Sequence, residues 1–115
     1  MHMRIGQGRG LSLFLGDLEA EIMETLWSLA PQTAKAVQHT IAARKKLAIT
    51  TILTILSRLT AKGLVERAKS EKAYVYAPTL SRQEFLEREI GAVVTTLRAD
   101  FREYFDRAVA EAGRG

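Results

Sequence analysis

The stretch from Ala48 to Gly63, AITTILTILSRLTAKG, carries the side chains with the most suggestive chemistry. At about 100° per residue, Thr50, Thr51, Thr54, Ser57, Arg58 and Lys62 fall on one side of a helix. That side holds hydroxyls and cations and no carboxylate. Short hydroxyls let a helix backbone come close to a partner, and cations attract a negatively charged one. The combination suits contact with base edges and phosphates in a DNA major groove. Ile49, Ile52, Leu53, Leu56 and Leu59 share the opposite side and are expected to be buried. Gly63 stands where a left-handed turn would end the helix. The plainer alternative is a core helix with a threonine-rich exterior.

The surrounding charge favours a polyanionic partner. Residues 35–72 hold nine cations, Lys35, Arg44, Lys45, Lys46, Arg58, Lys62, Arg67, Lys69 and Lys72, against Glu66 and Glu71. The flanks are close to neutral or slightly acidic, so the positive field of a chain with net charge +4 belongs to its middle. Lys35 sits in the first turn of its expected helix, where the positive helix end disfavours a cation unless a phosphate is near. Arg44, Lys45 and Lys46 form a basic corner just before the hydroxyl-rich helix.

Several elements must position these groups. A first helix is expected from about Leu18 to Leu29, capped by Asp17, with Leu18, Ile22, Leu26 and Leu29 inward and Trp27 as a core or rim anchor. Its acids, Glu19, Glu21 and Glu24, should turn it away from phosphate. Pro31 breaks the chain, and Thr33 can cap a second helix from Ala34 to about Ala43, burying Val37 and Ile41. Beyond Gly63 the period changes to two. Leu64–Lys69 and Lys72–Ala77 read as a hairpin ended by Pro78, with Tyr74 and Tyr76 on one face and Arg67, Lys69 and Lys72 crowding the tip. Three short helices and a basic hairpin make a winged helix-turn-helix, whose third helix enters the major groove while the wing lies over neighbouring phosphate or minor groove.

Ser81-Arg82-Gln83-Glu84 has the pattern of a capping box and opens a long helical stretch. Leu86, Ile90, Val93, Leu97, Phe101 and Tyr104 follow at spacings of four and three, widened by Phe85, Val94, Phe105 and Val109, with a break expected near 97–100. This apolar surface exceeds what a compact winged domain can cover, and leaving it in water costs roughly 25 cal/mol per Å². A second copy of the chain is the expected cover, with folding back on its own domain as the alternative. The expected architecture is therefore mainly α: a flexible glycine-rich arm over residues 1–16, a winged-helix domain over 17–78, a helical dimerisation region over 79–112 and a disordered tail at 113–115.

With 115 residues, no cysteine and no apolar run of membrane-spanning length, the chain reads as a cytoplasmic protein without direct membrane association, disulfides or thiolate metal sites. His2 and His39 are too far apart in sequence to make a metal cluster alone. No glycine-rich phosphate loop, zinc-protease motif or nucleophile–base pair is present, so neither enzymatic chemistry nor a cofactor is expected. Ser57 and Ser81 are better read as a groove contact and a helix cap.

Read in order, LGDLEAEIMETLW at 15–27, Thr33 to Val37, AITTILTILSRLTAKGLVER at 48–67 and KAYVYAP at 72–78 resemble the penicillinase and methicillin-resistance repressor family of winged-helix regulators. The resemblance covers about residues 15–90, and the C-terminal helices only in character. It implies a homodimeric repressor on dyad operators upstream of resistance or stress genes. It also implies that Thr50, Thr51, Thr54, Ser57 and Arg58 occupy the recognition-helix positions, with Lys62 at the end. Leu53 stands where some members place a basic residue facing DNA. The cysteine cluster of the copper-responsive branch is absent. In the beta-lactam branch a membrane metalloprotease cuts an Asn-Phe bond, for which Asp100-Phe101 is the similar dipeptide, so a regulatory protease is a further partner the resemblance allows. The competing reading is a winged helix used for protein interaction or architecture, which explains the fold and apolar tail but not the basic middle segment.

Overall fold

A computed structural model describes residues 10–114, in two compact units that meet after Arg82. The first contains a 3-10 turn (Leu11–Leu13), α1 (Asp17–Leu29), β1 (Gln32–Thr33), α2 (Ala34–Ile41), α3 (Ile49–Ala61), β2 (Val65–Lys69) and β3 (Tyr74–Pro78). Its three helices pack around Ile22, Met23 and Leu26 of α1, Val37 and Ile41 of α2, and Ile52, Ile55, Leu56 and Leu59 of α3. The strands form one antiparallel sheet in the order β1-β3-β2. This is a winged helix: β2 and β3 make the wing, with Arg67 opposite Tyr76 and Lys69 opposite Tyr74.

The helix ends follow local chemistry. Thr33 Oγ1 accepts from the Ala36 amide at 3.1 Å and caps α2. At the end of α3, Gly63 takes φ +78°, the Leu64 amide donates to Leu59 O and the Gly63 amide to Thr60 O. Those two hydrogen bonds make a Schellman turn that sends the chain directly into β2. Thr79 then donates through its amide to Leu64 O and through its hydroxyl to Gly63 O, tying the exit of β3 to that turn. Trp27 Nε1 donates to Leu80 O at 2.9 Å, so the indole anchors α1 to the segment after the wing.

Five local expectations need correction. The cap of α1 is Gly16 rather than Asp17: the Glu19 carboxylate reaches back to accept from the Gly16 amide, and Asp17 is the first helical residue. Residues 10–16 are not a free arm, because Leu11 and Leu15 are buried in the core; residues 1–9 lie outside the described residues. β1 is a third strand, too short to show any periodicity, pairing with Tyr76 and Val75 of β3. Leu29, expected inward, is 49% exposed at the end of α1, while Tyr74 and Tyr76 share a face of β3 as expected, Tyr76 buried and Tyr74 exposed near the hairpin tip.

The fifth correction concerns the face of α3. Ile55, not Leu53, completes the buried stripe, and Leu53 is 43% exposed. Apolar residues cover a wide arc of this helix, and packing against α1 and α2 selects the part centred on Ile52 and Leu59. Leu53 lies about 110° around from that centre.

The second unit consists of α4 and α5. α4 spans Arg82–Asp100, its first residue belonging to the preceding unit, and α5 spans Arg102–Arg114. The break falls at Phe101, just past the expected position. Helical hydrogen bonding nevertheless runs through it, from the Phe101 amide to Leu97 O and from the Phe105 amide to Phe101 O. Residues 113 and 114 are helical, contrary to the expected tail, and Gly115 lies outside the described residues. Phe85 is buried and leaves the proposed seam, Leu86 is half-buried, and Ile90, Val93, Leu97, Phe101 and Tyr104 are 37–68% exposed. Among the described residues no helix is long and apolar enough to cross a membrane.

Candidate nucleic-acid interface

Burial of Ile52, Ile55, Leu56 and Leu59 turns the other side of α3 outward. Thr50, Leu53, Thr54, Ser57, Arg58 and Ala61 are all exposed and stand three, four, seven, eight and eleven residues along from Thr50, which is one helical stripe. Thr51 is half-buried at its margin. Thr54 Oγ1 donates to Thr50 O at 2.9 Å, so its proton is used within the helix and it retains acceptor capacity and a methyl group. Arg58 lies in the last turn, where a cation suits the negative helix end. The stripe can therefore offer hydroxyl oxygens, one guanidinium and one branched apolar side chain to a groove.

The basic groups divide into two sets. Lys35 and Lys46 line one open hollow of about 480 Å³ beside α2, together with Gln38, His39, Ala42 and Leu47. Gln38 Nε2 donates to Leu47 O at 2.9 Å and fixes the turn between α2 and α3 that carries Lys45 and Lys46. Lys45 is exposed on the same turn. On the wing, the Arg67 guanidinium carbon stands 4.1 Å from the centre of the Tyr74 ring and Lys69 Nζ 5.4 Å from it. Lys72 is exposed in the hairpin turn, closed by the Ser70 amide donating to Ala73 O.

Two nominated cations are already engaged inside the fold. Lys62 Nζ donates to both carboxylate oxygens of Glu19 at 2.9 Å, and Arg44 Nη2 donates to Glu21 Oε1 at 2.6 Å. Arg82 completes the pattern with a two-pronged pair to Glu24 at 2.9 and 3.1 Å. The three acids of α1 thus hold α3, the turn after α2 and the end of the unit. Lys62 is a structural anchor by this geometry, and the run of acids in α1 is the sequence feature that it answers. On α3, sequence reasoning misplaced Leu53; its spacing of three from Thr50 and four from Ser57 was the available signal.

The penicillinase repressor family model matches residues 15–112. The transcriptional regulator BlaI of Mycobacterium tuberculosis is 44% identical over 73 residues, covering 63% of this chain and 53% of that protein. The penicillinase repressor of Bacillus licheniformis is 26% identical over 73 residues, covering 64% of this chain and 57% of its own length. The chain thus spans about half the length of the curated relatives it matches. The solution structure of the DNA binding domain of the repressor BlaI superimposes with a TM-score of 0.55 at 25% identity, over 62% of this chain and 87% of that one. The family's members are transcriptional regulators rather than enzymes. Helices, Schellman turn, wing and matched residues lead to one assignment: this chain belongs to the penicillinase repressor family of winged-helix regulators.

Proposed function

We propose that this protein is a sequence-specific, homodimeric transcriptional repressor that places α3 in the major groove of each half of a dyad operator. The observation that carries the reading is the carboxylate-free stripe of Thr50, Thr54, Ser57 and Arg58, flanked by Lys35, Lys45 and Lys46 on one side of the fold's sequence and Arg67, Lys69 and Lys72 on the other. Hydroxyls and Arg58 contact base edges, while the lysines neutralise phosphates. Lys62 and Arg44 support the geometry from their pairs with Glu19 and Glu21. The dimer covers promoter DNA and excludes polymerase without chemistry of its own. Its targets are resistance or stress genes by analogy with the penicillinase repressors, and proteolytic relief of repression belongs to the same analogy. Action in the cytoplasm follows from this role.

Duplexes selected from a random-sequence pool, compared with unselected DNA at several salt concentrations, test the reading. Arg58→Ala should weaken selected duplex by about five- to 150-fold, corresponding to a lost base contact of roughly 1–3 kcal/mol. Lys69→Ala and Lys72→Ala should weaken both duplexes alike and lower the salt dependence by about one counterion each. Equal affinity of the wild type for all duplexes would leave only the architectural reading.

A further inference from the structure

We infer that Leu53 is a specificity-determining residue that reads a thymine methyl group in each half-site. The inference rests on the proposed entry of α3 into the major groove. Leu53 is 43% exposed although the helix has a full set of buried partners in Ile52, Ile55, Leu56 and Leu59. A single exposed leucine on a protein surface is ordinary. What distinguishes Leu53 is its place, three residues after Thr50 and four before Ser57, inside the outward stripe rather than at its margin.

The chemistry of that position selects one base. Leu53 can neither donate nor accept a hydrogen bond, so it gains nothing from the N7, O6, O4 or exocyclic amine groups of the groove edge. Pressed against a guanine edge it would strip water from two acceptors and return no partner. Thymine alone presents a methyl group there, on C5. The adjacent Thr54 spends its hydroxyl proton on Thr50 O, so it brings no free donor beside Leu53 that would favour a purine N7 or O6 at the same step. A branched aliphatic chain over the methyl removes both from water, and burial of one methyl-sized group is worth about a fourfold change in affinity.

Replacement of thymine by deoxyuridine deletes that methyl and leaves base pairing and all hydrogen-bonding groups in place. Duplex selected by the wild-type chain from a random pool is substituted one thymine at a time and titrated with wild type and with Leu53→Ala. The wild type should lose about fourfold in affinity at one thymine position per half-site, and Leu53→Ala should bind the thymine and deoxyuridine duplexes equally at that position. The wild-type arm needs no variant, and exposure of Leu53 makes the variant's thermal unfolding a direct control on its fold. Wild-type indifference to every single deoxyuridine overturns the inference, as does a methyl-dependent loss that persists unchanged in Leu53→Ala; both leave sequence-specific binding standing. Failure of the wild type to select any duplex overturns the groove-reading proposal itself.

Discussion

Lys62, at the C-terminal end of α3, donates to both carboxylate oxygens of Glu19, in the first turn of α1, at 2.9 Å. Glu19 Oε1 also accepts from the Gly16 amide at 2.9 Å, so one carboxylate caps one helix and anchors the end of another. Glu19 is buried, whereas half of the Lys62 side chain is exposed. A rotation of α3 would have to break this pair as well as the packing of Leu56 and Leu59.

The pair makes stability depend on pH. Burial pushes the Glu19 carboxyl up, but the Lys62 hydrogen bond, the Gly16 amide and the charges of Lys62 and Arg58 outweigh it and hold the group below its ordinary value. A depressed folded-state value means the contribution is present above the unfolded value, about 4, and is lost as pH falls through the folded one. Lys62→Met should lower unfolding free energy at neutral pH by about 1–2 kcal/mol, the smaller range reflecting the exposure of Lys62. Glu19→Gln should lower it too while still accepting from the Gly16 amide. Urea unfolding between about pH 7 and pH 3 should show the gap between wild type and Glu19→Gln closing on acidification. A gap that stays constant would assign the loss to packing and not to the ion pair.

Much of this arrangement was legible in the residues, and the failures have physical causes. Thr33 as a cap, Gly63 as a left-handed stop and the change of period after it are local signals, read correctly because each depends on a few neighbouring residues. The choice between Leu53 and Ile55 is not local. Both lie on the edges of one broad apolar arc, and only the placement of α1 and α2 decides which edge is covered. β1 has two residues, fewer than a periodicity needs, and exists because β3 offers it an edge. The pairing of Lys62 with Glu19 spans 43 positions in sequence, so no helical spacing could announce it. Leu11 and Leu15 were hidden by the glycines around them.

Tyr74 is expected to prepare the wing for phosphate. Its ring carries the Arg67 guanidinium at 4.1 Å, which restricts a long side chain before it meets DNA. Such a contact at an exposed site is worth about 0.5–1 kcal/mol. Tyr74→Ala should therefore reduce affinity for selected and random duplexes alike by roughly two- to fivefold, and Tyr74→Phe should retain most of it. Anisotropy titrations of the three proteins check this. Equal losses for the phenylalanine and alanine variants would point to the hydroxyl, not the ring.

The C-terminal helices should form the dimer interface, and DNA affinity should depend on them. Leu86, Ile90, Val93 and Leu97 recur along α4 at intervals of four and three, and Phe101 and Tyr104 extend the series across the break into α5. From Ile90 onward these side chains are 37–68% exposed, an apolar stripe that a second copy can cover. Burying it is favourable at roughly 25 cal/mol per Å². A dimer joined here would carry two α3 helices, and the second half-site contact would form at high effective concentration once the first is made. Val93→Asp combined with Leu97→Asp charges the seam and leaves α3 untouched. Analytical ultracentrifugation should then find monomers at concentrations where wild type is dimeric, with unfolding of the winged unit little changed. Affinity for a full dyad site should fall far more than affinity for an isolated half-site. A wild-type chain that stays monomeric at micromolar concentration, free and on DNA, would remove this interface from the mechanism.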